Sequence, residues 1–132
     1  MIDCLILGDS IAVGTHMVKP QCTAYAKVGI NSKQWLDRNV TKSPYVAKTV
    51  IISLGSNDHQ YIKTESELES IRALTKADRV YWILPAIKPN IQDIVRKVAN
   101  KHGDIIVPIT KVSPDGIHPT LAGYNELAEK TK

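Results

Sequence analysis

Four short runs of nearly unbroken apolar residues punctuate the chain, at positions 2–7, 50–54, 80–84 and 105–107. Strands covered on both faces read this way, so these runs predict the centre of a parallel sheet. A fifth stretch, residues 23–28, is more polar and predicts a short edge strand. The segments between carry helical periodicity. Thr64 and Glu67 have the spacing of a capping box, with Leu68, Ile71 and Leu74 as the apolar stripe behind it. Asn90 is in place to cap a helix that buries Ile91, Ile94, Val95 and Val98 and stops at Gly103. A last helix follows Pro119 and Thr120, with Leu121, Tyr124, Leu127 and Ala128 facing inward. A first helix is expected to start near Ser10, and a short second one to cover residues 32–36. Strands alternating with helices predict an α/β fold, a three-layer α/β/α sandwich with about five parallel strands.

Composition narrows the picture. A chain of 132 residues, 43% hydrophobic and 23% charged, suits one globular domain spanning residues 1–132. The net charge of +4 is spread over lysines such as Lys27, Lys48, Lys63, Lys88 and Lys111, with no basic run. That argues against a nucleic-acid partner. Cys4 lies in an apolar run, Cys22 follows Pro20 in a loop, and there is no CxxC. Two free thiols are therefore expected, which fits a reducing compartment. The apolar start is too short to span a membrane and lacks the basic residues that open a signal peptide. A cytoplasmic protein is the expectation, with lysis or incorporation into a larger particle as other routes out.

Ligands of such sheets bind beyond the carboxyl ends of the strands. The first strand is followed by Gly8-Asp9-Ser10. A serine at a strand-to-helix junction stands clear of the sheet at the positive end of the next helix. It can equally be a simple N-cap. Gly29 follows the edge strand, where a bare backbone N–H can approach a substrate. Gly55-Ser56-Asn57-Asp58 follows the third strand; Asn57 offers a neutral donor, and Asp58 can fix the turn. Asp115-Gly116-Ile117-His118 places a carboxylate three residues before an imidazole. In a turn, Asp115 then reaches Nδ1 of His118 and leaves Nε2 free to take a proton from a hydroxyl. No HxxxH pair supports a metal site. Elsewhere, His16 belongs to the first helix, His102 sits near a helix end, and Trp35 and Trp82 are packing residues. His59 and Tyr61 follow Asn57 closely enough to line a pocket, and Pro85 and Pro89 bracket the loop after the fourth strand.

Together these four blocks resemble the SGNH hydrolases, also called the GDSL esterase/lipase superfamily. Gly8-Asp9-Ser10 is similar to the nucleophile block, with Ile11 where many members carry leucine. Gly29 matches the oxyanion-hole glycine, Gly55-Ser56-Asn57-Asp58 the GxND block, and Asp115 to His118 the DxxH block. The resemblance implies a flavodoxin-like sandwich and a serine esterase. Ser10 would be the nucleophile, His118 its base and Asp115 the residue that orients the base. Ser10, Gly29 and Asn57 would form the oxyanion hole, and Asp9 and Asp58 would support it. No metal or organic cofactor is required. Short loops and the lack of phenylalanine favour a small acyl group, such as acetyl, on a carbohydrate-type substrate, either a small molecule or borne on a polymer. A lysophospholipase or thioesterase is the alternative. A binding module that kept the fold and lost catalysis is a reading of another class. A nucleotide binder is disfavoured, because no Gly-rich phosphate loop follows the first strand.

Overall fold

The computed structural model describes residues 2–132. Strands β1 (Ile2–Gly8), β2 (Thr23–Ala26), β3 (Tyr45–Ser53), β4 (Thr75–Leu84) and β5 (Ile105–Pro108) form one parallel sheet in the order β2-β1-β3-β4-β5. Helices α1 (Ser10–Val18), α2 (Ser32–Asn39), α3 (Thr64–Ala73), α4 (Pro89–His102) and α5 (Leu121–Lys130) cover both faces. Alternation along each strand divides the core in two. Leu5, Leu7, Val50, Ile52, Val80 and Trp82 pack with Trp35 of α2, Leu68 and Ile71 of α3, and Val95 of α4. Ile6, Ile51, Tyr81 and Ile83 face the other way, onto Ile11 of α1 and Leu127 of α5. Burying each such side chain contributes about 1.5–3 kcal/mol.

The central runs are longer than their apolar cores. The first halves of β3 and β4 alternate or lose burial, as in the exposed Val46, Lys48 and Lys76, so a search for unbroken apolar residues finds only the second halves. Several caps also differ from expectation. Thr64 begins α3 without capping it, because its hydroxyl donates to Asp58 instead. Asn90 lies inside α4, whose first residue is Pro89; proline at that position needs no N–H partner. Leu121, expected inside, is 71% exposed, and Gly123 and Leu127 are the buried residues of α5. Asn31 and Gln34, by contrast, form a full capping box that starts α2. Gly103 ends α4 as expected, in the left-handed conformation.

Cys4 and Cys22 form a disulfide, with Cα atoms 4.8 Å apart. The expectation of free thiols is overturned, and its support for a reducing compartment goes with it. The cause lies in the register. Leu5 of β1 pairs with Thr23 of β2, so the residues one step earlier on each chain are Cys4 and Cys22. Among the described residues, no helix is long and apolar enough to cross a membrane.

Candidate active site

Three adjacent strands end at one level. Gly8, the last residue of β1, pairs with Ala26 of β2 on one side and Ser53 of β3 on the other. The chain leaves β1 for one side of the sheet and returns to the other, so this level is the topological switch point where α/β sheets bind ligands. Gly8 must be glycine. Its φ of +153° suits no side chain, and a β-carbon would collide with the Ser53 carbonyl.

Asp9 caps α1, its Oδ1 accepting from the Ile11 N–H at 3.0 Å. Ser10 is therefore the first helical residue and not the cap. Asp9 is fully buried, accepts from the Ser53 hydroxyl at 3.3 Å and donates its own N–H to the Ser53 carbonyl at 3.0 Å. Its other oxygen, Oδ2, has no partner. Burial pushes this carboxyl up to about 6, against the opposing pull of its hydrogen bonds.

His118 reaches Ser10 from 108 residues away in sequence, with Nε2 2.8 Å from Oγ. It belongs to a small loop after β5, closed by the Val112–Pro119 bridge and by the Ser113 N–H donating to the His118 carbonyl at 2.8 Å. Asp115 lies within that loop. Its Oδ2 stands 2.7 Å from His118 Nδ1. Its Oδ1 accepts from the N–H groups of Ile117 and His118 at 2.8 and 2.9 Å and from the Ser113 hydroxyl at 2.7 Å. These donors, the Ile117 N–H first, hold the carboxyl far below the usual carboxylate range. The ring is thus fixed by an ionised carboxylate that is itself fixed by its own turn.

Asn57 and Gly29 sit on neighbouring loops. The Asn57 Nδ2 donates to the Ile30 carbonyl at 3.0 Å, which ties the loop after β3 to the one after β2 and leaves the amide one further N–H. Gly29 has φ +80°, and nothing lies within 4 Å of where a side chain would be. Buried Asp58 locks the same two loops together. It accepts from the Ser32 N–H at 2.9 Å, the Ser32 hydroxyl at 2.5 Å and the Thr64 hydroxyl at 2.8 Å.

Three supporting residues escaped the sequence reading. Lys88 donates to the carbonyls of Ser56 and Asp58, each at 2.8 Å, on either side of Asn57. No local signal marks a lysine before Pro89 as a clamp on a distant loop. Ser53 holds Asp9 but lies within an apolar strand. Ser113, two residues before Asp115, did carry a signal, since a hydroxyl beside a turn carboxylate is a common local pairing. Of the other residues singled out, His16 is on α1, bonded to the Cys22 carbonyl at 2.9 Å. His102 ends α4 and pairs with Glu69. Trp35 and Trp82 are buried in the core. His59 lines a cavity together with Ile91 and Ile94, whereas Tyr61 is 81% exposed.

Among solved structures, a GDSL-like lipase from Bacteroides thetaiotaomicron matches 97% of this chain and 84% of its own, with a TM-score of 0.69 at 20% identity. The chain has the fold of the GDSL-like lipases. It is also similar to the C-terminal catalytic domain of peptidoglycan O-acetyltransferase A from Streptococcus pneumoniae, with a TM-score of 0.61, 18% identity, and 96% of this chain and 88% of that one covered. An acetyl xylan esterase from Butyrivibrio proteoclasticus matches 97% of this chain and 61% of its own, with a TM-score of 0.61 at 10% identity. No protein-family model and no curated protein matches the sequence. The expected flavodoxin-like sandwich is the fold observed.

Proposed function

We propose that the chain is a serine ester hydrolase of the SGNH type that removes small acyl groups, such as acetyl, from a carbohydrate-type substrate. The observation that carries the reading is the continuous relay from Ser10 Oγ to His118 Nε2 at 2.8 Å and from His118 Nδ1 to Asp115 at 2.7 Å. In this reading His118 takes the hydroxyl proton as Ser10 Oγ bonds to the ester carbonyl carbon. The oxyanion is received by the Ser10 and Gly29 N–H groups and by the free N–H of Asn57. His118 then passes its proton to the departing alkoxide as the ester C–O bond breaks. Water, deprotonated by His118, attacks the acyl-enzyme and releases the acid, and the proton returns to Ser10. Asp115 keeps the ring in the tautomer this sequence needs.

Support for a small acyl group comes from the absence of phenylalanine and from the likeness to an acetyl xylan esterase and a peptidoglycan O-acetyltransferase domain. The test is labelling by a fluorophosphonate probe, together with hydrolysis of p-nitrophenyl acetate and octanoate. Labelling at Ser10 that disappears in Ser10→Ala, with acetate turned over faster, is expected. Failure to label folded protein removes the hydrolase reading in favour of a silent binding module. Faster octanoate turnover replaces the small-acyl reading with a lysophospholipase or thioesterase.

A further inference from the structure

Towards the other end of the sheet, a buried lysine has no counter-ion. Lys19 follows α1 and is 6% exposed. Its ammonium donates to the Thr131 carbonyl at 3.0 Å and to the Thr131 hydroxyl at 3.2 Å. Both acceptors are neutral, and a lysine carries three donors, so one N–H is left over. A lysine is almost never this buried unless a negative group matches it. Burial and the neighbouring Lys132 ammonium hold Lys19 below the ordinary lysine range, against the weaker pull of Glu129. Lys27 and Arg38 also lack acidic partners, but they are exposed and water solvates them.

Lys19 lines a cavity of about 300 Å³ together with Lys48, Thr49, Arg79 and Lys132. Cys4, which also lines it, pairs with Thr49 of β3, and Thr49 pairs with Arg79 of β4, so three neighbouring strands supply one row. That row crosses β1 four residues before Gly8, about 13 Å along the strand from the level of Ser10. Arg79 donates to the Thr49 hydroxyl at 3.4 Å and, among the described residues, pairs with no carboxylate. Lys48 and Lys132 have acidic partners at the surface, Asp3 at 3.8 Å and Glu129 at 3.0 Å. Asp3 is the acidic residue of the lining, so four cations stand against one carboxylate.

We propose that this cavity binds the phosphate group of a small soluble phosphomonoester, with the Lys19 ammonium and the Arg79 guanidinium as its principal donors. A planar carboxylate would be satisfied by the guanidinium fork alone. A tetrahedral dianion offers oxygens to donors that arrive from separate elements, as they do here from the segment after α1, from β3 and β4, and from beyond α5. Thr49 and Gln21 add neutral partners. The volume lies at the small end of ligand sites, which suits a phosphate with a few further atoms and not a lipid tail. The bound anion supplies the negative charge that buried Lys19 lacks. The site is separate from Ser10 and stands whether or not the chain hydrolyses esters.

The probes are inorganic phosphate and glycerol 3-phosphate, titrated calorimetrically at constant ionic strength. The proteins are the wild type, Ser10→Ala, Lys19→Met and Arg79→Gln. Saturable binding of one equivalent, with a Kd of about a millimolar or lower, is expected for the first two. Lys19→Met and Arg79→Gln should each weaken it by roughly tenfold, through loss of one charged donor. Arg79 is exposed, so its variant carries the test should Lys19→Met fail to fold. Melting temperatures give a second reading. Phosphate stabilises folded proteins in general by exclusion from their surface, and that part must be common to all four proteins. A larger rise in the wild type and Ser10→Ala than in the two charge variants is expected from specific binding. Absence of saturable binding, or binding that survives both charge variants, overturns the proposal. Binding lost in Ser10→Ala would place the phosphate at the catalytic serine and overturns it equally. Phosphatidic acid vesicles that capture the wild type, with neither soluble phosphate bound, overturn the soluble ligand in favour of a membrane surface.

Discussion

Lys88 holds Asn57 without touching it, because its ammonium donates to the carbonyls before and after that residue, each at 2.8 Å. Lys88 is the single non-glycine residue with positive φ among those described, at +63°. A strained residue persists where its surroundings over-determine it, and here two charge-assisted bonds do so. Lys88 is therefore expected to position the Asn57 amide. Lys88→Met should lower kcat about tenfold, as expected when a donor is slightly misplaced, with KM changed less than twofold. Lys88→Gly should lose the same activity yet melt higher than Lys88→Met, since glycine relieves the strained backbone. Rates are to be taken per site titrated with fluorophosphonate. If kcat per titrated site is unchanged, Lys88 serves stability alone.

Asp9 gives a pH signature. Its folded carboxyl sits at about 6, above the ordinary value of 3.8, because of burial. The folded state then holds the proton more tightly than the unfolded one. Stability is greatest below the unfolded value and is lost as pH rises through 6, by up to about 3 kcal/mol. Asp9→Asn keeps a capping side chain and cannot ionise. Its melting temperature relative to wild type should therefore be higher at pH 8 than at pH 4. A difference that is flat with pH would show that Asp9 is not the group responsible.

How far the sequence disclosed this molecule depends on the distance over which each feature is encoded. Strands and helices follow local periodicity, and Gly103 ends α4 where a local signal says it should. Asp115 and His118 are three apart, so their pairing is a local fact too. The Ser10–His118 contact is not local, and neither is the Lys88 clamp. The first was legible because both partners fall in recognisable blocks; the second because nothing in either segment advertises it went unseen. Thr64 shows a local signal being outcompeted, since its hydroxyl serves buried Asp58 and no longer its own helix. The cysteines show the same limit. Their pairing depends on the β1–β2 register, which neither segment records alone.

The disulfide closes a loop that contains all of α1 and Ser10, with a separation of 18 residues. In the chain-entropy account such a crosslink contributes about 3 kcal/mol by restricting the unfolded chain. The Cys4→Ala, Cys22→Ala double variant should melt well below the wild type. Dithiothreitol should lower the wild-type melting temperature and leave the double variant unmoved. Denatured, unreduced protein should take up no thiol reagent; uptake at two sites would show that the pair is not joined.

The Asn57 amide spends one N–H on the Ile30 carbonyl at 3.0 Å and has one left for a substrate. Its two roles can be separated. Asn57→Ala removes both, so kcat should fall by about 10²–10³ through loss of an oxyanion donor, with little change in KM. Asn57→Asp adds a carboxylate that faces the Ile30 carbonyl and repels it, and also repels the developing oxyanion. It should be the slower enzyme of the two, although aspartate is closer in shape to asparagine. If Asn57 only fastened the two loops, the order would differ. Both variants would then lose stability, and kcat per titrated site would hold. Rates and melting temperatures measured on the same two proteins distinguish a donor to the transition state from a loop fastener.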